Sequence, residues 1–155
     1  MTAKQMWEAF LKIYPAAAGE EVEAWYYGGK NADYLAELTA RGIKTATSSA
    51  YPMYEAQGEP LPQAGTYSVV MRKDCTAVCV VYTTKVYVVP YEEVSPEHAW
   101  REGEGDRSLG YWRTVHEAFF SESLEKVGLT ISRDTGVVCE EFTRVYPALS
   151  EQNGL

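Results

Sequence analysis

Residues 66–89 read TYSVVMRKDCTAVCVVYTTKVYVV, with β-branched and aromatic residues dominating on both sides of the polar pair Lys73-Asp74. Such residues favour extended backbone, and a polar pair between two apolar runs is typical of a turn. The stretch therefore predicts a β-hairpin, with strands over 66–71 and 76–89, the second of which is unusually long.

Capping signals outside this hairpin predict four helices and one further strand. Thr2 is a suitable N-cap for a helix that ends at Pro15, and a second helix runs from near Asn31 or Asp33 to Gly42. Residues 51–65 contain Pro and Gly and are predicted to be a long loop. The other expected elements are a short helix from Ser95 to about Glu102, a helix capped by Ser108 with Leu109, Trp112, Val115, Phe119 and Phe120 toward the core, and a strand from Val137 to Tyr146.

Strands that follow one another without regular helical crossovers indicate a mixed or antiparallel sheet. We therefore expect an α+β fold in which a small β-barrel is decorated by helices. A length of 155 residues favours a single domain over 1–155, since two separate cores would each be small and marginal.

Charge and composition indicate which classes of binding partner and which cellular compartment are expected for this chain. The chain has 14 basic and 22 acidic residues, a net charge of −8, and no basic run longer than Arg72-Lys73, so extended nonspecific binding to RNA or DNA is disfavoured. Neither a signal peptide nor a membrane span is recognisable, which predicts a cytoplasmic protein without a membrane partner. Cysteines at 75, 79 and 139 lack CxxC spacing and are expected to be buried, reduced thiols.

The first segment that suggests chemistry is Gly42-Ile-Lys44-Thr45-Ala-Thr47-Ser-Ser49. In extended backbone Thr45, Thr47 and Ser49 share one face while Lys44, Ala46 and Ser48 share the other, so a bend is needed to bring Lys44 and Thr47 together. The alternative interpretation is structural: Lys44 complements a helix dipole and the hydroxyls stabilise turns.

The second segment, residues 98–116, holds both histidines and two of the four tryptophans of the chain. Glu102 ends one predicted helix, Asp106 lies in the connecting turn, and Arg113 and His116 are three residues apart on the next helix. Capping and solvated ion pairs are the plainer explanation. The spacing does not match HExxH or another linear metal motif, so no metal and no cofactor are predicted.

On the last strand, Glu140 or Glu141 is either an inward-facing acid or an edge-strand carboxylate.

Taken together, these motifs resemble the ASCH domain, specifically a bacterial branch of that family. The resemblance rests on Gly42-x-Lys44-Thr45-x-Thr47, on His98-Ala-x-x-Glu102 continuing to Ser108, Trp112, Arg113 and His116, and on Val138-Cys-Glu-x-Phe142. It spans roughly residues 25–146, so the helix at about 2–15 is an addition. The resemblance implies a PUA-like β-barrel, a cleft lined by the GxKxxT segment, and a role in RNA or nucleotide recognition.

Similar small bacterial members of the wider superfamily hydrolyse N4-acylated cytidine with a lysine, a threonine and a glutamate, which correspond to Lys44, Thr47 and Glu102. Either a neutral Lys44 deprotonates Thr47 while Glu102 handles a proton, or Lys44 stabilises the oxyanion and Glu102 is the base. The predicted binding residues, some of which could stack on a base or hydrogen-bond its edge, are Trp25, Tyr26, Thr45, Asp106, Ser108, Trp112, Arg113 and His116.

The expected ligand is a small nucleoside or nucleotide, or a short or modified RNA, because the net charge of −8 disfavours a long polyanion. Two other classes of function stay open at this point. One is a noncatalytic RNA-binding module in which Lys44 and Arg113 contact phosphate, and the other is a ribonuclease with similar cationic and hydroxyl groups.

Overall fold

The computed structural model describes residues 1–148, and the chain divides into two compact units. The first unit comprises Met1–Thr45, Ala64–Thr84 and the described part of Phe142–Leu155, and the second comprises Ala46–Gln63 and Lys85–Glu141. The single domain predicted over 1–155 stays a prediction, and its last residues, 149–155, lie outside the described range.

Five α-helices and five strands alternate irregularly along the described residues. The helices are α1 (Ala3–Ile13), α2 (Ala32–Ala40), α3 (Tyr51–Gln57), α4 (Pro96–Glu102) and α5 (Leu109–Glu125), and the strands are β1 (Val22–Trp25), β2 (Ala46–Ala50), β3 (Tyr67–Met71), β4 (Ala77–Pro90) and β5 (Gly136–Tyr146). Two short 3₁₀-helices occupy Pro15–Ala17 and Tyr91–Glu93. No helix within residues 1–148 is both long and apolar enough to cross a membrane.

The strands form one mixed sheet in the order β1-β3-β4-β5-β2. β1 runs parallel to β3, whereas β3 pairs antiparallel with β4 and β2 pairs antiparallel with β5. The predicted α+β class is therefore confirmed, as is the hairpin of residues 66–89. Within the described residues the sheet is not a closed barrel, because its outer strands β1 and β2 are not hydrogen-bonded to each other.

Helix ends follow the capping signals in the sequence. The Thr2 hydroxyl accepts from the Gln5 amide while the Gln5 side chain accepts from the Thr2 amide, which completes a capping box at the start of α1. Ser95 and Ser108 cap α4 and α5 through their hydroxyl oxygens. These contacts satisfy backbone amides that have no partner inside the helix, so the three helix starts agree with prediction.

Two expectations about local structure are wrong, and one strand was not predicted. Residues 51–57 form α3 rather than a loop, because proline is well tolerated in the first turn and Gly58, at φ 66°, ends the helix in left-handed backbone. β1 was not predicted, since its four residues carry too short a pattern and depend on pairing with β3. Phe119 was expected in the core but is 42% exposed.

Each unit contains its own buried apolar residues. In the first unit, α1 packs on β3 and β4 through Met6, Phe10, Val69 and Val80. In the second unit, the buried cluster comprises Ala50, Val94, Ala99, Trp112, Phe120, Leu124, Val137 and Cys139. Fully burying an aliphatic or aromatic side chain of this size stabilises a fold by about 1.5–3 kcal/mol, so the second cluster firmly anchors α5 against β5.

The turn between α4 and α5 depends on Gly105, whose φ is 58°. A Cβ at this position would lie 2.5 Å from a ring atom of Tyr111. We expect Gly105→Ala to lower the free energy of unfolding by at least about 1–2 kcal/mol, the cost of left-handed backbone for an L-residue. Gly19→Ala is the matched control, because no heavy atom lies within 4 Å of its Cβ position. Equal urea midpoints for the two variants would contradict this account.

The three thiols should differ sharply in reactivity. Burial raises the pKa of Cys79 and that of Cys139 to about 12 each, so both remain neutral thiols at pH 8, whereas Cys75 is exposed. Since the thiolate is the nucleophile, iodoacetamide should label one cysteine in the folded protein and three in urea, as counted by mass spectrometry. Rapid labelling of Cys79 or Cys139 in the folded protein would show that its burial is incomplete.

Candidate active site

Glu102 ends α4, is 2% exposed, and has a carboxylate that accepts several hydrogen bonds. Its Oε2 atom accepts from the Ser48 hydroxyl at 2.5 Å, from Nε2 of His98 at 3.0 Å and from Nε1 of Trp112 at 2.5 Å. Hydrogen bonds to an ionised carboxylate favour the charged form and offset part of the cost of burying it. Glu102 is therefore a fixed, desolvated acid.

Local structure explains why these three donors meet. His98 and Glu102 are four residues apart on α4, so both side chains project from one helix face. Trp112 occupies the first turn of α5 after the Ser108 cap. Ser48 lies on the same face of β2 as Ala46 and Ala50, and both of these alanines are buried. Each donor thus comes from a different element.

The hydrogen-bond network determines which nitrogen of His98 carries a proton. The single hydroxyl proton of Ser48 is donated to Glu102, so its 2.7 Å contact with Nε2 of His98 is one in which the hydroxyl oxygen accepts. Nε2 is therefore protonated. Nδ1 of His98 is buried and has no hydrogen-bond partner in the described part of the chain. His98 accordingly orients Ser48 and Glu102, and it does not act as a base toward Ser48.

His116 approaches the other oxygen of the same carboxylate. Its Nδ1 atom donates to the Trp112 carbonyl at 2.9 Å, its ring stacks on the Trp112 indole at 4.3 Å between centroids, and its Nε2 lies 3.6 Å from Oε1 of Glu102. Trp112 therefore has two functions: its indole N–H holds Glu102, and its backbone and ring orient His116. The predicted roles of Glu102, Trp112 and His116 toward a ligand stay predictions.

Three residues of this cluster were not in the predicted site, namely Ser48, His98 and Glu104. His98 was detectable, because its spacing from Glu102 places both on one helix face. Ser48 was detectable only with knowledge of which face of β2 is buried. Glu104 joins Glu102 and His116 in a group whose ligand atoms all lie within 4.8 Å of one another. Linear motifs miss this group because it spans two helices and the turn between them.

The other predicted residues of the second unit have mainly structural contacts. Thr47 pairs with Glu140 and lies on the opposite face of β2 from Ser48. Asp106 accepts from the Ser108 amide, and hydrogen bonds with Ser108 lower the pKa of its carboxyl. Arg113 donates to the carbonyls of Tyr91 and Glu92. Ser108 is the N-cap already described, and Glu141 lies 3.9 Å from Arg101.

The remaining predicted residues belong to the first unit. Lys44 is 2% exposed, and its Nζ lies 5.4 Å from the ring centroid of Tyr27. The Thr45 carbonyl accepts from the Phe142 amide, and Trp25 packs edge-on against Tyr27. Tyr26 is exposed. The predicted roles of Lys44 and these residues toward a ligand, and the predicted catalytic role that Lys44 and Thr47 share with Glu102, stay predictions.

Comparison with known proteins identifies the family. Residues 23–146 match the ASCH domain family, and the chain belongs to it. An ASCH domain structure from Lactobacillus crispatus is similar at 32% identity and a TM-score of 0.87, covering 93% of this chain and 94% of that one. Protein EF3133 from Enterococcus faecalis shares 30% identity with a TM-score of 0.80, covering 95% of each chain. No curated protein matches the sequence.

The Trp112 hydrogen bond should have a measurable energetic effect. Trp112→Phe removes the donor to a buried carboxylate, and we expect it to lower the free energy of unfolding by about 1.5–3 kcal/mol. Trp100→Phe is the control, since Trp100 is 56% exposed and should change stability by less than about 0.5 kcal/mol. Urea unfolding followed by circular dichroism measures both. A double-mutant cycle with Glu102→Gln that shows no coupling would contradict the assignment.

Proposed function

We propose that this ASCH domain hydrolyses the amide of an N4-acylated cytidine or a closely related nucleoside, with Glu102 as the general base. The observation that carries the proposal is the fixed orientation of Glu102. Three donors bind Oε2, while Oε1 lies toward His116. A carboxylate held in one orientation in a desolvated site is well suited to accept a proton from an attacking hydroxyl group.

The reaction balances as follows. A water molecule attacks the amide carbonyl carbon, and Glu102 accepts the proton that the water loses. The tetrahedral intermediate then breaks its C–N bond, the electron pair leaves with N4, and Glu102 returns the proton to that nitrogen. The products are cytidine and a carboxylic acid. Donors that stabilise the developing oxyanion lower the barrier further, and in this mechanism that donor is Lys44.

Water is the preferred nucleophile because of the position of Thr47. Alternation along β2 directs Thr47 to the face opposite Ser48, and it is Ser48 that contacts Glu102. The mechanism in which Lys44 deprotonates Thr47 is therefore the alternative that the experiment must distinguish. The net charge of −8 supports a small, weakly charged substrate over a long polyanion.

A noncatalytic RNA-binding role is the second candidate, and one surface feature favours it. Trp100 is exposed, and the guanidinium carbon of Arg107 lies 3.7 Å from its ring centroid. The Arg107 side chain also donates to the Trp100 carbonyl. Stacked arginine and tryptophan groups are a common surface for binding unpaired bases.

The test incubates the protein with N4-acylated cytidines and with short RNAs, and chromatography then detects free cytidine, RNA fragments or a retained complex. We expect free cytidine from the parent and a fall of about 10²–10⁴-fold in kcat/KM for Glu102→Gln, because the general base is lost. Glu97→Gln, an exposed change on the same helix, should retain activity. Circular dichroism verifies that each variant is folded.

Variants at the other two predicted residues separate the mechanisms. Thr47→Ala should retain activity within about tenfold if water is the nucleophile, and Lys44→Ala should lower kcat through loss of the oxyanion donor. If Thr47→Ala abolishes activity and an acyl-enzyme forms on Thr47 in the parent, the Lys44–Thr47 mechanism replaces ours. Cleaved or retained RNA without any release of cytidine would overturn the amidohydrolase proposal in favour of a ribonuclease or a binding module.

A further inference from the structure

We infer that Glu102, Glu104 and His116 form a binding site for one divalent transition-metal ion. The three residues come from the end of α4, the following turn and the middle of α5. Their ligand atoms lie within 4.8 Å of one another, and two of the three residues are buried. This inference rests on the geometry of the second unit; it shares Glu102 with the proposed hydrolysis but does not require that reaction.

The orientation of His116 is the strongest observation. Its side chain is only 10% exposed. Because Nδ1 donates its proton to the Trp112 carbonyl, Nε2 of the neutral ring carries a lone pair. Within the described residues, Nε2 makes no hydrogen bond and lies 3.6 Å from Oε1 of Glu102. A metal-binding histidine needs this arrangement, with one ring nitrogen held by a hydrogen bond and the other beside the remaining ligands.

The distance between these two atoms suits a shared ion. Two ligands, each about 2.0–2.1 Å from a tetrahedrally coordinated metal, are roughly 3.4 Å apart. The 3.6 Å separation of Nε2 and Oε1 therefore leaves room for an ion without movement of either helix. Glu104 is partly buried, and its carboxylate already lies within 4.8 Å of the other two ligand atoms.

Contacts outside the three ligands hold two of them in place. The carbonyl that binds Nδ1 of His116 is the kind of partner that orients histidine ligands in metalloproteins. Ser48, His98 and Trp112 bind Oε2 of Glu102, and Oε1 is the oxygen that lies near Nε2 of His116. A site already assembled in this way loses little conformational freedom when the ion binds.

The ligand set indicates which metals would bind. One imidazole and two carboxylates suit zinc or manganese, whereas magnesium and calcium favour sites made entirely of oxygen. Three protein ligands also leave at least one coordination position for water or for an oxygen of a bound ligand, as in catalytic rather than structural zinc sites.

Calorimetric titration of chelator-treated protein with zinc chloride and with manganese chloride tests the inference. We expect saturable binding of one ion per chain to the parent, and at least tenfold weaker binding to Glu104→Gln and to His116→Gln. Glu117→Gln, which removes the same charge from an exposed position beside His116 on α5, should bind like the parent. Glu104→Gln alters a partly buried side chain, so a folded variant is expected even if His116→Gln is unstable.

Two outcomes would overturn the inference: no one-to-one binding of either ion, or binding that Glu104→Gln weakens no more than Glu117→Gln does. The result is also separable from the proposed reaction. Metal binding without release of cytidine supports the site and contradicts the amidohydrolase proposal. Release of cytidine by chelator-treated protein that binds neither ion supports the proposed reaction and overturns the metal site.

Discussion

The cost of burying the Glu102 carboxylate constrains the second unit more than any other interaction. Removing an ionised carboxylate from water costs several kcal/mol unless donors replace its hydration. Ser48, His98 and Trp112 provide those donors from β2, α4 and α5. If one of these elements moved away, the carboxylate would lose a partner, so these hydrogen bonds favour the packing of the three elements together.

The turn between α4 and α5 makes this packing possible. Gly103, Gly105 and Arg107 all have positive φ, at 73°, 58° and 64°, and together they reverse the chain within a few residues. The reversal brings Trp112, ten residues further along, back to Glu102. Left-handed backbone at the non-glycine Arg107 is unfavourable, and the side chain offsets part of this cost by donating to the Trp100 carbonyl and stacking on the Trp100 ring.

The same arrangement has consequences for chemistry, because Trp112 contacts both Glu102 and His116 and so fixes the position of one relative to the other. Its indole N–H binds Oε2, its carbonyl binds Nδ1 of His116, and its ring stacks on the imidazole. The carboxylate and the imidazole therefore hold a defined relative geometry without a ligand. Both the proposed base function of Glu102 and the inferred metal site depend on this rigidity.

The sequence by itself determined the elements whose signals are local. The hairpin of residues 66–89, the caps at Thr2, Ser95 and Ser108, and the shared helix face of His98 and Glu102 all follow from neighbouring residues. Only the tertiary structure decided what depends on distant partners. β1 is too short to be recognised without β3, and the strand order of the sheet depends on pairings between distant residues. The buried face of β2 selects Ser48 rather than Thr47 as the neighbour of Glu102. Glu104 joins Glu102 and His116 for the same reason, since a turn and the packing of α4 on α5 bring together ligand atoms that no linear motif connects.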